Sequence, residues 1–317
     1  MKTLARKVRS PFKKVLLATD FSVNLEASLR VAIRLCQMSD ARLSILHLHK
    51  DVSPTSGPTN NSVDDRIQEN EARLILKCLS ERVREVGVRC RVSSDTGIPS
   101  EKILEVIDAE GIDLAILGTS EPRGSNRLVF GPTAEVVMRH APCPIMTVGP
   151  VAADQSKMDA LKGPVIFATD FHSVTREAIR VAVSYCRSTG SPLHCLHVLP
   201  RTLQSSDGDS ALPEILASAL RHLAATNAKG IDLPICCVTF GSEISNAIVD
   251  YVRNQHASLI FLGVRRSSLV ATDDPLPIVF RIITEAPCPV VAIVCETDDE
   301  RSASRSEKSD LTPLRLT

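Results

Sequence analysis

Apolar and polar positions along the chain follow two rhythms. Short unbroken apolar runs alternate with longer stretches in which apolar residues recur every three or four positions. Val15–Ala18 is a run of buried-strand type. From Ser22 onward, Leu25, Leu29, Ala32, Ile33 and Cys36 fall at helical spacing, with Ser22 or Asn24 placed to cap the helix. Leu43–Leu48 reads as a second strand, and Ile67, Leu74, Ile75, Cys78, Val83 and Val86 mark a long second helix beyond a polar loop at 51–62. Then come Val88–Val92 as strand, Ser100–Glu110 as helix with Ile103, Leu104 and Ile107 inward, Leu114–Leu117 as strand, Thr133–Arg139 as helix and Ile145–Val148 as strand. This alternation predicts an α/β fold with a doubly wound parallel sheet, because parallel strands need crossover connections and helices must cover both faces.

The pattern then repeats. VLLATDFS at Val15–Ser22 returns as VIFATDFH at Val165–His172, with Asp20 and Asp170 in register at an offset of 150. Ala141-Pro142-Cys143-Pro144-Ile145 returns as Ala286-Pro287-Cys288-Pro289-Val290, and the run ending in Gly118 returns ending in Gly263, both at an offset of 145. Three matches in one order mean two copies of a single unit rather than a short-period solenoid. The expected domains are 11–150 and 163–296, with disordered tails at 1–10 and 297–317, and a shorter second helix in copy two at Leu212–Ala228.

Composition narrows the function classes. The 317 residues fit about two domains at roughly 150 residues each. Lys+Arg and Asp+Glu are both 37, so no bulk positive field draws the protein to nucleic acid or anionic lipid. Aromatics are 3% with no Trp, which leaves little to stack on bases. No apolar run approaches the roughly 20 residues of a membrane span, and MKTLARKVRSPFKK lacks the apolar block of a secretory signal, so a cytoplasmic protein without membrane or nucleic-acid partners is expected. The ten cysteines contain no CxxC pair, as expected of reduced thiols, and Cys236-Cys237 reads as strand packing rather than a redox pair. Cys143 and Cys288, each between prolines, read as small hydrophobes.

Open parallel sheets bind ligands beyond the carboxyl ends of their strands. Three features of copy one converge there: Ala18-Thr19-Asp20 at the end of the first strand, Gly97 in Thr96-Gly97-Ile98-Pro99 after the third, and Gly118 ending the fourth, whose loop runs to Gly131-Pro132-Thr133 at a helix start. A glycine turn feeding a helix N-terminus suits an anion, since unpaired N–H groups and the positive end of the helix dipole face outward. There is no Gly-Lys-Ser/Thr loop and no GxGxxG, so neither a P-loop nor a dinucleotide fingerprint is present.

These elements resemble the universal stress protein family, through the ATDF start, the GxP element, the spaced glycines and the APCP stretch, in both copies. The resemblance implies two Rossmann-like, adenine nucleotide alpha hydrolase-like domains of strand order 3-2-1-4-5 with helices on both faces. It also implies pairing through the last strands, here an internal pseudo-dimer of Ile145–Val148 with Val290–Val294, with homodimerisation of the chain as a further expectation. In one subclass it implies ATP, with accompanying Mg as the one metal. Carried over by position, Ala18, Thr19, Asp20 and Leu48 would meet the adenosine end, and Gly118, Gly131 and Thr133 the phosphates.

The chain also departs from the family pattern. Glu121 stands at the second glycine, and Pro132 replaces a Ser/Thr, removing a hydroxyl and an N–H, while Thr133, Arg123, Gly124 and Arg127 stand ready to offset the loss. In copy two the later glycines have become Arg266 and Leu276, with Pro277 opposite Pro132, which predicts a structural partner rather than a second nucleotide site. Asp20 and Asp170 also admit a plain reading as local caps. The spaced histidines His47/His49 and His194/His197 lack a third metal ligand. No catalytic constellation stands in either crevice, so the expectation is a stress-response regulatory or protective module and not an enzyme. The alternatives are a nucleotide-free interaction scaffold and a slow ATP hydrolase.

Overall fold

A computed structural model of the chain describes residues 10–49, 61–118, 131–154, 161–172, 175–204, 211–266, 269 and 278–295. In copy one the chain runs β1 (Lys14–Thr19), α1 (Leu25–Ser39), β2 (Arg42–His49), α2 (Asn61–Glu85), β3 (Arg89–Thr96), α3 (Pro99–Glu110), β4 (Leu114–Gly118), α4 (Pro132–His140) and β5 (Ile145–Val148). A short helix, α5 (Pro150–Asp154), leads to copy two: β6 (Val165–Ala168), α6 (Thr175–Thr189), β7 (Leu193–Pro200), α7 (Leu212–Asn227), β8 (Ile235–Gly241), α8 (Ile244–Asn254), β9 (Leu259–Arg265), α9 (Ile278–Glu285) and β10 (Val290–Cys295). Among the described residues, α5 and a single 3-10 turn at Arg201–Leu203 are additions to the elements that the pattern predicts.

All ten strands lie in one sheet, ordered β3-β2-β1-β4-β5-β10-β9-β6-β7-β8. Each copy therefore has strand order 3-2-1-4-5, the second reversed in space, as the repeat and the family resemblance imply. Every pairing within a copy is parallel, whereas β5 meets β10 antiparallel, with Val291 opposite Met146. That junction covers two sheet edges that would otherwise offer unpaired N–H and C=O groups to other chains. The strands at the centre carry continuous apolar runs, Val15-Leu16-Leu17 and Val165-Ile166-Phe167 being fully buried, because helices cover both faces.

The seam is further secured by groups from both copies. Thr147 Oγ1 donates to Val290 O at 3.3 Å, Arg139 on α4 donates to Leu269 O, and the Phe12 ring packs 6.3 Å from Tyr185 on α6. Gly149 is the tightest point: a Cβ there would lie 2.1 Å from Ile283 O, a distance no side chain tolerates.

The α2 helix forms where the periodicity places it, yet with a different inward face. Ala72, Leu76, Leu79 and Val83 are buried, while Ile67, Leu74, Ile75 and Cys78 are exposed. The reason is its position over the edge strand β3, itself exposed from Ser93 to Thr96, so the helix has only a narrow stripe to cover and Ala72 and Ser80 suffice for part of it.

Candidate functional site

The ATDF sequence builds the same turn twice. Thr19 ends β1 and its Oγ1 accepts the Phe21 N–H at 3.0 Å, while Asp20 Oδ1 accepts the Ser22 N–H at 3.0 Å. This drives Phe21 into the left-handed region (φ 57°), where its ring stacks on His47 with centroids 3.8 Å apart. His47 Nδ1 in turn donates to Thr19 O at 3.0 Å. In copy two Thr169 accepts the Phe171 N–H, Asp170 accepts the His172 N–H, Phe171 has φ 63° and His197 Nδ1 donates to Thr169 O at 2.8 Å. One oxygen of each aspartate thus organises its own turn, which gives the capping reading direct content, and the repeated motif marks the scaffold. Burial lowers the titration of His47 below its usual value, so the ring serves this turn as a neutral donor.

Beyond this turn, at the carboxyl ends of β1 and β4, lies a cavity of about 300 Å³. Ala18, Thr19, Asp20, Leu48, Gly118, Gly131 and Thr133 all line it, joined by Ser28, Pro99 and Ala134. Gly97 does not line it. That residue has φ +128°, so its glycine is required by the backbone leading into α3. Gly118 and Gly131 have no such backbone requirement: among the described residues a Cβ on Gly131 would meet nothing within 4 Å, and one on Gly118 would sit 3.5 Å from Ser28 Oγ. What these two glycines preserve is space inside the cavity.

Two kinds of polar group belong to the residues that line that space. Glu135 N–H is the first in α4 to bond back, to Gly131 O at 3.0 Å, which leaves the Thr133 and Ala134 amides without helical partners, Pro132 having no N–H to offer. Ser28, which the sequence pattern passes over, is only 2% exposed, and its hydroxyl has no hydrogen-bond partner among the described residues. An orphaned buried hydroxyl costs roughly 1–3 kcal/mol, an expense that a bound ligand would relieve. Ser28 was discoverable by aligning the copies, since Ala178 occupies its place in copy two.

Copy two keeps a cavity of about 270 Å³ at the matching place, lined by Ala168, Thr169, Asp170, His197 and Gly263. The walls differ. Ile278 stands where Thr133 does, Val279 for Ala134, Ile244 for Pro99 and Val198 for Leu48, and Arg265 lies at the end of β9. The cavity has been relined with branched apolar side chains rather than filled. Arg265 Nη1 lies 3.5 Å from His172 Nε2.

Glu121, Arg123, Gly124, Arg127, Leu276 and Pro277 lie outside the described residues, while Arg266 is the residue after β9. Among the described residues there is no group of three His, Cys, Asp or Glu placed to hold a metal, and no helix is long and apolar enough to cross a membrane. Burial pushes the Cys143 thiol up to about 12 and raises Cys288 as well, which keeps both protonated and inert.

Comparison with known proteins agrees with this architecture. The model of the universal stress protein family matches residues 11–149 and 163–293. The chain belongs to the universal stress protein family, as two tandem copies. A universal stress protein of Methanocaldococcus jannaschii is 30% identical over 152 residues, covering 47% of this chain and 88% of the relative. One of Bacillus subtilis is 27% identical over 146 residues, covering 43% of this chain and 99% of the relative. Among solved structures, a universal stress protein from Archaeoglobus fulgidus superimposes with a TM-score of 0.67 at 20% identity, covering 92% of this chain and 98% of that one. At that identity the likeness speaks for the fold.

Proposed function

We propose that copy one binds an adenine nucleotide and that the protein acts in the stress response as a nucleotide-responsive regulatory or protective module, with copy two as its structural partner. The observation that carries this reading is the orphaned Ser28 hydroxyl inside a cavity whose two glycines leave room no backbone constraint demands. In this reading Ala18, Thr19, Asp20 and Leu48 hold the adenosine end, and Gly118, Gly131 and the amides of Thr133 and Ala134 receive phosphate oxygens. The Thr133 hydroxyl takes the place of the one lost at Pro132. Mg would accompany the phosphates, with no carboxylate cluster among the described residues to hold it alone. In this reading the protein works in the reducing cytoplasm, which its free thiols support.

A nucleotide-free scaffold is the second reading, and Pro132 favours it, because it removes one amide from the helix end that would meet the phosphates. Equilibrium dialysis of the full chain against ATP separates the two, alongside Ser28→Ala and the double variant Glu121→Gly/Pro132→Ser. Saturable binding weakened by Ser28→Ala supports the nucleotide module. Binding seen only in the double variant establishes the scaffold.

A further inference from the structure

The alternation of β8 sends its adjacent cysteines to opposite faces: Cys236 packs in the cluster under α6 and α7, and Cys237 in the one under α8, beside Tyr251. They are no vicinal pair. Cys236, however, stands opposite Cys195 of the neighbouring strand in the parallel register, and its own thiol donates to Pro234 O at 3.8 Å. Adjacent strands lie about 4.8 Å apart, inside the roughly 4.4–6.8 Å Cα separation that disulfides span. The two sulfurs are also unequal in access. Cys195 is fully buried, whereas Cys236 is half-buried at the edge of the sheet, with Arg221 of α7 nearby.

We propose that Cys195 and Cys236 form an oxidisable thiol pair, in which Cys236 reacts with a hydroperoxide and Cys195 closes a disulfide that ties the edge strand β8 to β7. The Cys236 thiolate attacks the peroxide: an S–O bond forms, the O–O bond breaks, and the departing oxygen takes up the thiol proton and leaves as water or alcohol. Sulfur is oxidised by two electrons to a sulfenic acid and the peroxide is reduced. The Cys195 sulfur then attacks that sulfenic sulfur. An S–S bond forms, the S–O bond breaks, and the hydroxyl leaves with the Cys195 proton as a second water. The Cys195 thiol beside it and Arg221 of α7 lower the Cys236 thiol despite its burial, which favours the thiolate that the first step needs. Burial raises Cys36, Cys186 and Cys288, which sets Cys236 apart from the other thiols of the core.

The test is mass spectrometry of the full chain after treatment with stoichiometric hydrogen peroxide and digestion with trypsin without reductant. The expected product is a reducible link between peptides 188–201 and 230–253, lighter than their sum by two hydrogens. It should be lost in Cys236→Ser and retained in Cys237→Ser. In Cys195→Ala, dimedone should trap the sulfenic acid on Cys236, an outcome that does not depend on forming the bridge. Oxidation falling first on exposed Cys78, or a link that survives Cys236→Ser, would overturn the proposal.

Discussion

The two crevices share a scaffold and differ in their walls. In both, a Thr accepts the N–H two residues on, an Asp accepts the next, a left-handed Phe rests on a His, and that His returns a hydrogen bond to the Thr carbonyl. Duplication kept every part of this turn. It did not keep every group around the cavity: Ser28 and Thr133 of copy one became Ala178 and Ile278. The contrast separates what the fold requires from what the proposed nucleotide would require. The aspartates, the most conspicuous residues of the repeated motif, belong in part to the first class, while the proposed function assigns the unremarked Ser28 to the second.

The largest expected effect tests whether the copies are energetically one unit. Gly149→Ala forces a Cβ into Ile283 O across the seam and should cost about 3 kcal/mol or more. A single lowered unfolding transition by calorimetry would show both copies melting together, and two separate transitions would show that the seam couples them weakly. Gly131→Ala, whose Cβ meets nothing, should change stability by less than about 0.5 kcal/mol.

Next comes the exchange of Ser28 and Ala178. Ala178→Ser buries a hydroxyl in a fully buried helix position of copy two and should destabilise by about 1–3 kcal/mol. Ser28→Ala removes an unsatisfied group and should leave stability unchanged or raised by about 1 kcal/mol, while weakening nucleotide roughly tenfold. Urea titration and nucleotide binding on the same samples check both halves, and a substantial destabilisation by Ser28→Ala would mean that the hydroxyl already has a structural role.

A smaller effect probes the shared scaffold. Thr19→Val and Thr169→Val should each cost about 1 kcal/mol in urea titrations, through loss of the turn hydrogen bond. Thr169 should cost somewhat more because it also meets Thr175 Oγ1 at 2.8 Å. The smallest effect is pH dependence. Burial lowers His47 in copy one and His194 in copy two below their ordinary 6.5, so the unfolded chain binds more protons. Their contribution is present above about pH 6.5 and is lost as pH falls through the folded values. Melting temperatures across that range should fall on acidification, and His47→Gln should shallow the slope.

The fold was legible because its signals are redundant. Two copies of a strand-helix alternation, in register over three motifs, leave few topologies, and the strand order follows the family resemblance. The inward face of α2 was not legible from large apolar residues: Ile67, Leu74 and Ile75 are exposed, while Ala72 and Ser80 turn inward on an edge strand that needs little cover. Of the candidate site, seven of the eight residues expected at strand ends and the helix start line one cavity, because the carboxyl edge of an open α/β sheet brings those positions together. Gly97 was misleading because a glycine needed for positive φ looks, in sequence, the same as one needed for space. Cys195 and Cys236 were invisible as a pair because only the register of β7 and β8 brings them together.

The most direct test of the difference between the crevices is calorimetric titration of the full chain with ATP, beside Gly131→Trp, which fills the cavity of copy one, and Ile278→Trp, which fills that of copy two. One site per chain, abolished by Gly131→Trp and untouched by Ile278→Trp, is the result expected. Two sites per chain, or one lost with Ile278→Trp and kept with Gly131→Trp, would contradict it.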